Sequence, residues 1–173
     1  PDGTVIQEFS PGYPPQFEDI SYGIGTSAPE IDILAAGATS IWFSPSSDIG
    51  NSWQTPGFDD STWNASETAI GYGSSYNELI GTGGNTSGAM WFGNPSVYLR
   101  VPFELTNSLS SLTLKMRYED GFVAYLNGVR VASSNAPDEA TLTHDSTATA
   151  IHPNGEALVA ETFSLSIASL VSG

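Results

Sequence analysis

The sequence predicts an all-β fold, an antiparallel β-sandwich or jelly roll, on three observations. Leu112, Leu114, Met116 and Tyr118 alternate with Thr113, Lys115 and Arg117, a period of two that sends one face to a core and the other to water. Phe122–Leu126 runs into Asn127-Gly128 and then Val129–Ala132. Asn-Gly supplies the two positive φ angles of a type I′ turn, so this stretch reads as a hairpin. Finally, seven or eight short apolar runs are separated by Gly, Pro and Asn, with hardly any helical periodicity.

Further strands are expected at Val5–Phe9, Thr39–Phe43, Ala69–Tyr72, Val97–Leu105 and Thr162–Ile167, the last alternating through Phe163, Leu165 and Ile167. Pro11, Pro14 and Pro15 exclude an inner strand between the first two, because proline has no amide hydrogen for the ladder. A domain boundary is expected between Tyr22 and Pro29. Glycines at 71, 73, 81, 83, 84, 88 and 93 mark a long loop, and long glycine-rich loops inside compact domains are often functional. Ser133–Gly155 is a second polar loop.

The chain has 173 residues, 39% of them apolar, enough for one sizeable core. Four Lys+Arg against 19 Asp+Glu give a formal charge of -15. That excludes binding to a phosphate backbone, because few cations are present to release counterions, so no nucleic-acid partner is expected. Zero Cys removes disulfides, thiol nucleophiles and thiolate metal sites, and two His argue against an imidazole-rich zinc site. The sequence contains no run of 18 apolar residues, so no membrane partner is expected, and Pro1-Asp2-Gly3-Thr4 lacks the basic and apolar regions of a signal peptide. With 39 Ser+Thr and 18 Gly beside the acidic excess, the composition is that of secreted surface modules. An extracellular or cell-surface location is therefore expected.

Three segments together resemble a known family. Ala36–Phe43 running through Trp53 to Gly57-Phe58-Asp59-Asp60-Ser61-Thr62-Trp63 looks like the opening of the galactose-binding-like jelly rolls of secreted multidomain bacterial proteins, and Ile70-Gly71-Tyr72-Gly73 is similar to the strand that follows there. Val97–Phe103 resembles their central aromatic-Arg-x-x-Phe strand, and Tyr118–Ala132 their Asp-Gly, strand, Asn-Gly hairpin. The resemblance covers about residues 33–173 and implies a galactose-binding-domain-like jelly roll over 29–173. In the family the stretch matching Leu170–Gly173 is followed by further core strands, so a jelly roll lacking its last strand is expected. A related Phe-Asp-Asp-Ser-x-Trp stretch in sugar-binding domains of family 2 glycoside hydrolases implies a carbohydrate context. Residues 1–23 resemble the last hairpin and exit of a lamin-tail domain, which implies the end of an upstream β-domain or an extended arm.

Sugars are held by stacking their C–H faces on aromatic rings while amides and carboxylates take the hydroxyls. The glycine-rich loop offers Tyr72, Tyr76, Asn85, Trp91 and Asn94 for that purpose, with Trp91 and Tyr76 as the stacking platforms. The alternative, in which Tyr72, Trp91 and Phe92 simply fill the core, stays open. Trp42, Trp53 and Trp63 belong to the framework that the resemblance implies. Asp48, Asp59 and Asp60 are candidate ligands of a structural Ca²⁺, which needs six to eight oxygens; the competing reading has Asp59-Asp60-Ser61 capping a short turn.

Glu119 and Asp120 are adjacent on a strand end and point to opposite faces, so they do not form the carboxylate pair of a glycosidase. Asp120 is expected to accept backbone amides in a tight turn before Gly121. Arg100 and Arg117 are each expected to pair with a carboxylate. His144-Asp145-Ser146 resembles a catalytic triad only in composition, because triads are gathered from distant segments. Asn64-Ala65-Ser66 and Asn85-Thr86-Ser87 are glycosylation sequons of the kind that arise by chance in Ser/Thr-rich chains.

The expected function is a non-catalytic carbohydrate-binding or adhesion module of an exported multidomain protein, with a glycan or cell-surface polysaccharide as partner. The alternative is a structural subunit of an extracellular filament or surface layer. There the partners would be other copies of the chain, exchanging strands such as Val5–Phe9, or adjacent domains of the parent chain.

Overall fold

A computed structural model describes residues 30–170 apart from Phe92 and Asn107. The chain divides into two units, Pro1–Asp32 and Ile33–Gly173. The expected strand at Val5–Phe9 and the lamin-tail-like segment 1–23 lie outside the described residues. Among the described residues strands outnumber helices, 25% against 12%, and every pairing of the named strands is antiparallel. The fold is all-β.

The first sheet joins β1 (Thr39–Phe43), β2 (Asn64–Glu67) and β3 (Tyr98–Arg100) in the order β2-β1-β3. Ser40 and Trp42 share one buried face of β1. Ser40 stands opposite Ser66, and their hydroxyls meet at 2.8 Å, which satisfies two polar groups that burial would otherwise strand. Phe43 pairs with Tyr98 on the other face. There Tyr98 stacks on Trp53 at 4.1 Å and 14°, Phe43 stacks on Trp63 at 5.4 Å, and Tyr125 meets Trp53 edge-on at 5.9 Å. This aromatic cluster accounts for Trp53 and Trp63 as framework residues; Trp42 is buried at 8% exposure.

The second sheet pairs β4 (Leu112–Met116) with β7 (Glu161–Leu165). Leu112, Leu114 and Met116 are half-buried and Thr113 and Lys115 exposed, as the alternation predicts. Phe163 carries that apolar face to Phe122, edge-on at 5.2 Å. The third is the hairpin of β5 (Phe122–Leu126) and β6 (Val129–Ser134). Its turn has φ 53° at Asn127 and 86° at Gly128, the two left-handed residues that the sequence called for. A bulge follows Ala124, where the register shifts by one residue.

Departures from expectation have local causes. Ala69–Tyr72 is not a strand; Gly71 alone makes a bridge, to Asn85. The partner of β1 is instead β2, whose Asn-Ala-Ser-Glu sequence carries no apolar alternation. The expected strand over Val97–Leu105 shortens to Tyr98–Arg100, just ahead of Pro102, which has no amide to donate. β7 stops at Leu165, and the Ser166 hydroxyl accepts from the Ala168 amide to open a 3₁₀ turn over Ile167–Ser169.

Candidate functional site

The glycine-rich loop is anchored as a layer of bare backbone against β2. The Glu67 amide donates to the Thr82 carbonyl and the Gly81 amide to the Ala69 carbonyl. A Cβ on Gly81 would meet the Glu67 carbonyl oxygen at 2.5 Å, and one on Gly83 the Ala65 carbonyl oxygen at 2.5 Å, with Gly83 at φ +71°. Only glycine fits such an approach. The neck is closed by Gly71 donating to the Gly84 carbonyl and accepting from the Thr86 amide, both at 2.9 Å. From this base α1 (Ser87–Met90) rises, its first turn opened by the Asn85 carboxamide oxygen, which accepts from the Ser87 amide at 2.9 Å.

Trp91 follows α1 and is 61% exposed. Its ring lies 5.9 Å from that of half-buried Tyr72, tilted by 31°. Two of the expected sugar contacts are thus brought together at the surface, but the pair is Trp91 with Tyr72, not the expected stacking platforms Trp91 and Tyr76. Trp91 does not fill the core.

The other three expected sugar contacts are placed differently. Tyr76 sits in a 3₁₀ turn (Ser74–Tyr76) with its ring edge against Gly73. Its hydroxyl is buried and makes no hydrogen bond of good geometry. Burial pushes this phenol up to about 12, and the nearby Glu119 carboxylate, then Asp120, add to the shift. The Asn94 amide is committed to the end of β1, donating to the Ser44 carbonyl at 3.1 Å and the Ser44 hydroxyl at 3.2 Å. Asn85 spends its oxygen on the α1 turn, and its sequon is exposed at Asn85.

The three candidate calcium ligands are each engaged locally. The Asp48 carboxylate accepts from the Gly50 amide at 2.7 Å. Asp59 accepts from the Ser61 amide at 3.2 Å, and hydrogen bonds from Ser61 hold its carboxyl below the usual range. Asp60 meets the Arg100 guanidinium at 2.7 Å. Arg100 also donates to the carbonyls of Trp53 and Thr55 and lies 5.5 Å over the Phe58 ring. Among the described residues no group of three His, Asp or Glu side chains is arranged to hold a metal.

Arg100 therefore makes the ion pair expected of it, whereas Arg117 donates to the Leu158 carbonyl at 2.9 Å. In the 144–146 stretch the Asp145 carboxylate accepts from the Thr143 hydroxyl at 2.7 Å, and the Ser146 hydroxyl also turns to Thr143, so both serve a local turn.

One cluster had no signal in the sequence. His152 is buried at 5% exposure; its ring stacks on Tyr118 at 4.3 Å and 16°. Its backbone amide donates to Asp120 from 32 residues away, not from the tight turn before Gly121 that the sequence predicts, and the Gly121 amide donates instead to the Glu119 carbonyl. A lone histidine in a polar loop carries no pattern that would have revealed this. Comparison with protein-family models, curated proteins and solved structures finds no match for this chain.

Proposed function

We propose that the chain is a non-catalytic carbohydrate-binding or adhesion module of an exported multidomain protein, built as a galactose-binding-like jelly roll. The observation that carries this reading is the exposed Trp91 ring beside Tyr72 on a loop whose base is locked by backbone contacts. An apolar ring held open to solvent presents a face to the C–H face of a sugar. With few contacts, affinity is weak, roughly 10⁻⁴ to 10⁻³ M. The test is a glycan array followed by calorimetric titration of the protein and of Trp91→Ala. A glycan bound by the first and lost in the second supports the reading; no binding at millimolar concentration ends it.

A second reading, a structural unit of an extracellular assembly, is favoured by Ile151 and Val159, exposed at 84% and 65%. Light scattering on the full chain and on Ile151→Ser with Val159→Ser distinguishes it: association lost in the double variant supports assembly, and a stable monomer in both removes it.

A further inference from the structure

The His152 ring presents a problem in hydrogen bookkeeping. Nδ1 lies 2.8 Å from the Tyr118 carbonyl oxygen. A carbonyl only accepts, so Nδ1 carries a hydrogen and donates. In the neutral tautomer Nε2 would then be a bare lone pair. Yet Nε2 is buried, makes no hydrogen bond of good geometry, and lies 3.3 Å from Glu161 Oε1 and 3.7 Å from Glu156 Oε2. A lone pair held against two carboxylates is repulsive and leaves a buried polar atom unsatisfied.

A positive ring reverses every sign in this arrangement. The charge on Nε2–H would then lie within ion-pair distance of the carboxylates of Glu156, from α2 (Asn154–Ala157), and Glu161, from β7, without an aligned hydrogen bond to either. The parallel Tyr118 ring would offer its electron-rich face to the charge. Glu161 is already held in place, since its other oxygen accepts from the Tyr118 hydroxyl at 3.1 Å, and that hydroxyl meets Ser134 of β6 at 2.8 Å. Asp120 accepts the His152 backbone amide, and Arg117 steadies the far end of the turn through the Leu158 carbonyl. A metal ion on Nε2 would answer the same problem, but these side chains are not gathered in a metal-holding arrangement.

We infer that His152 is held as the imidazolium and acts as a protonation-dependent clasp, fastening the 152–161 segment and β7 to the Tyr118–Asp120 turn. The sign follows directly. The clasp holds while the ring is charged, and its charge pairing with the two glutamates is lost when the ring is neutral, so raising the pH loosens it.

Nitrogen NMR of the uniformly labelled full chain tests this, with His144→Gln identifying the His152 signals. At about pH 5.5 both ring nitrogens of His152 should carry hydrogens, and chelator should change nothing. The folding equilibrium constant should fall about two- to fivefold by about pH 8, the scale of an ion pair whose carboxylates are exposed, at 70% for Glu156 and 46% for Glu161. His152→Gln should abolish that fall, Glu161→Gln should reduce it, and His144→Gln should retain it. A neutral Nδ1–H tautomer at pH 5.5, a resonance that moves with chelator or zinc, or an unchanged pH dependence in His152→Gln would each overturn the inference. Should His152→Gln not fold, the tautomer of the native ring decides alone.

Discussion

The indole Nε1–H of Trp42 donates to the carbonyl oxygen of Gly83 at 2.9 Å, across 41 residues of chain. It joins the best-buried ring of β1 to the base of the glycine-rich loop, so the aromatic surface of that loop and the central strand are positioned together.

Trp42→Phe keeps most of the ring and removes the donor, leaving the Gly83 carbonyl without it. A loss of about 1–2 kcal/mol is expected in urea unfolding. Gly83→Ala should cost about 2 kcal/mol or more, because its Cβ meets the Ala65 carbonyl oxygen at 2.5 Å in a left-handed backbone.

The Asp60–Arg100 pair is mostly withdrawn from water, with side-chain exposures of 27% and 19%. Asp60→Asn should lower stability by about 1–3 kcal/mol, because the guanidinium loses its counter-charge but keeps its two carbonyl partners. Arg100→Lys should not restore wild-type stability, since an ammonium does not reproduce the fork that reaches Asp60, Trp53 and Thr55 at once. Calorimetric melting of both variants checks this.

Burial first, and the Glu139 carboxylate second, push the Tyr125 phenol up to about 12. Its hydroxyl donates to Glu139 at 2.9 Å. A folded value above the unfolded one of about 10 means that this contribution is complete below pH 10 and lost as pH climbs towards 12. Phenolate absorbance should show a late step at about pH 12 from Tyr125 and Tyr76; a late step that persists unchanged in Tyr125→Phe would refute the assignment for that ring.

Trp91→Ala should leave the melting temperature within the range of ordinary surface changes, about 0.5 kcal/mol, because the ring is largely exposed. A much larger loss would mean that Trp91 serves the fold rather than a ligand.

Strands that alternate or that end in a coded turn were legible in the sequence. β4 shows its apolar residues one by one, and Asn127-Gly128 dictates its own backbone angles. β2 was not legible, because what makes it a strand is its ladder with β1 and a hydroxyl pair, Ser40 with Ser66, each member of which is unremarkable alone. The same limit governed the candidate site. Composition pointed to aromatic and amide side chains in one loop, and Trp91 with Tyr72 does form a surface pair. Nothing in the spacing of Asn94 disclosed that its amide would be spent on Ser44, or that Glu119 would lie beside Tyr76. Both depend on contacts between segments distant in the chain.

The backbone layer over β2 also divides the loop into parts of unequal mutability. Positions 81, 83 and 84 have no room for any side chain, so sequence drift there is confined almost to glycine. The exposed stretches 74–75, 77–79 and Trp91 carry no such restriction. A chain organised this way can vary the exposed part of this loop without renegotiating its fold. A library aimed at the proposed sugar site should vary the outer stretches and leave the glycine layer untouched.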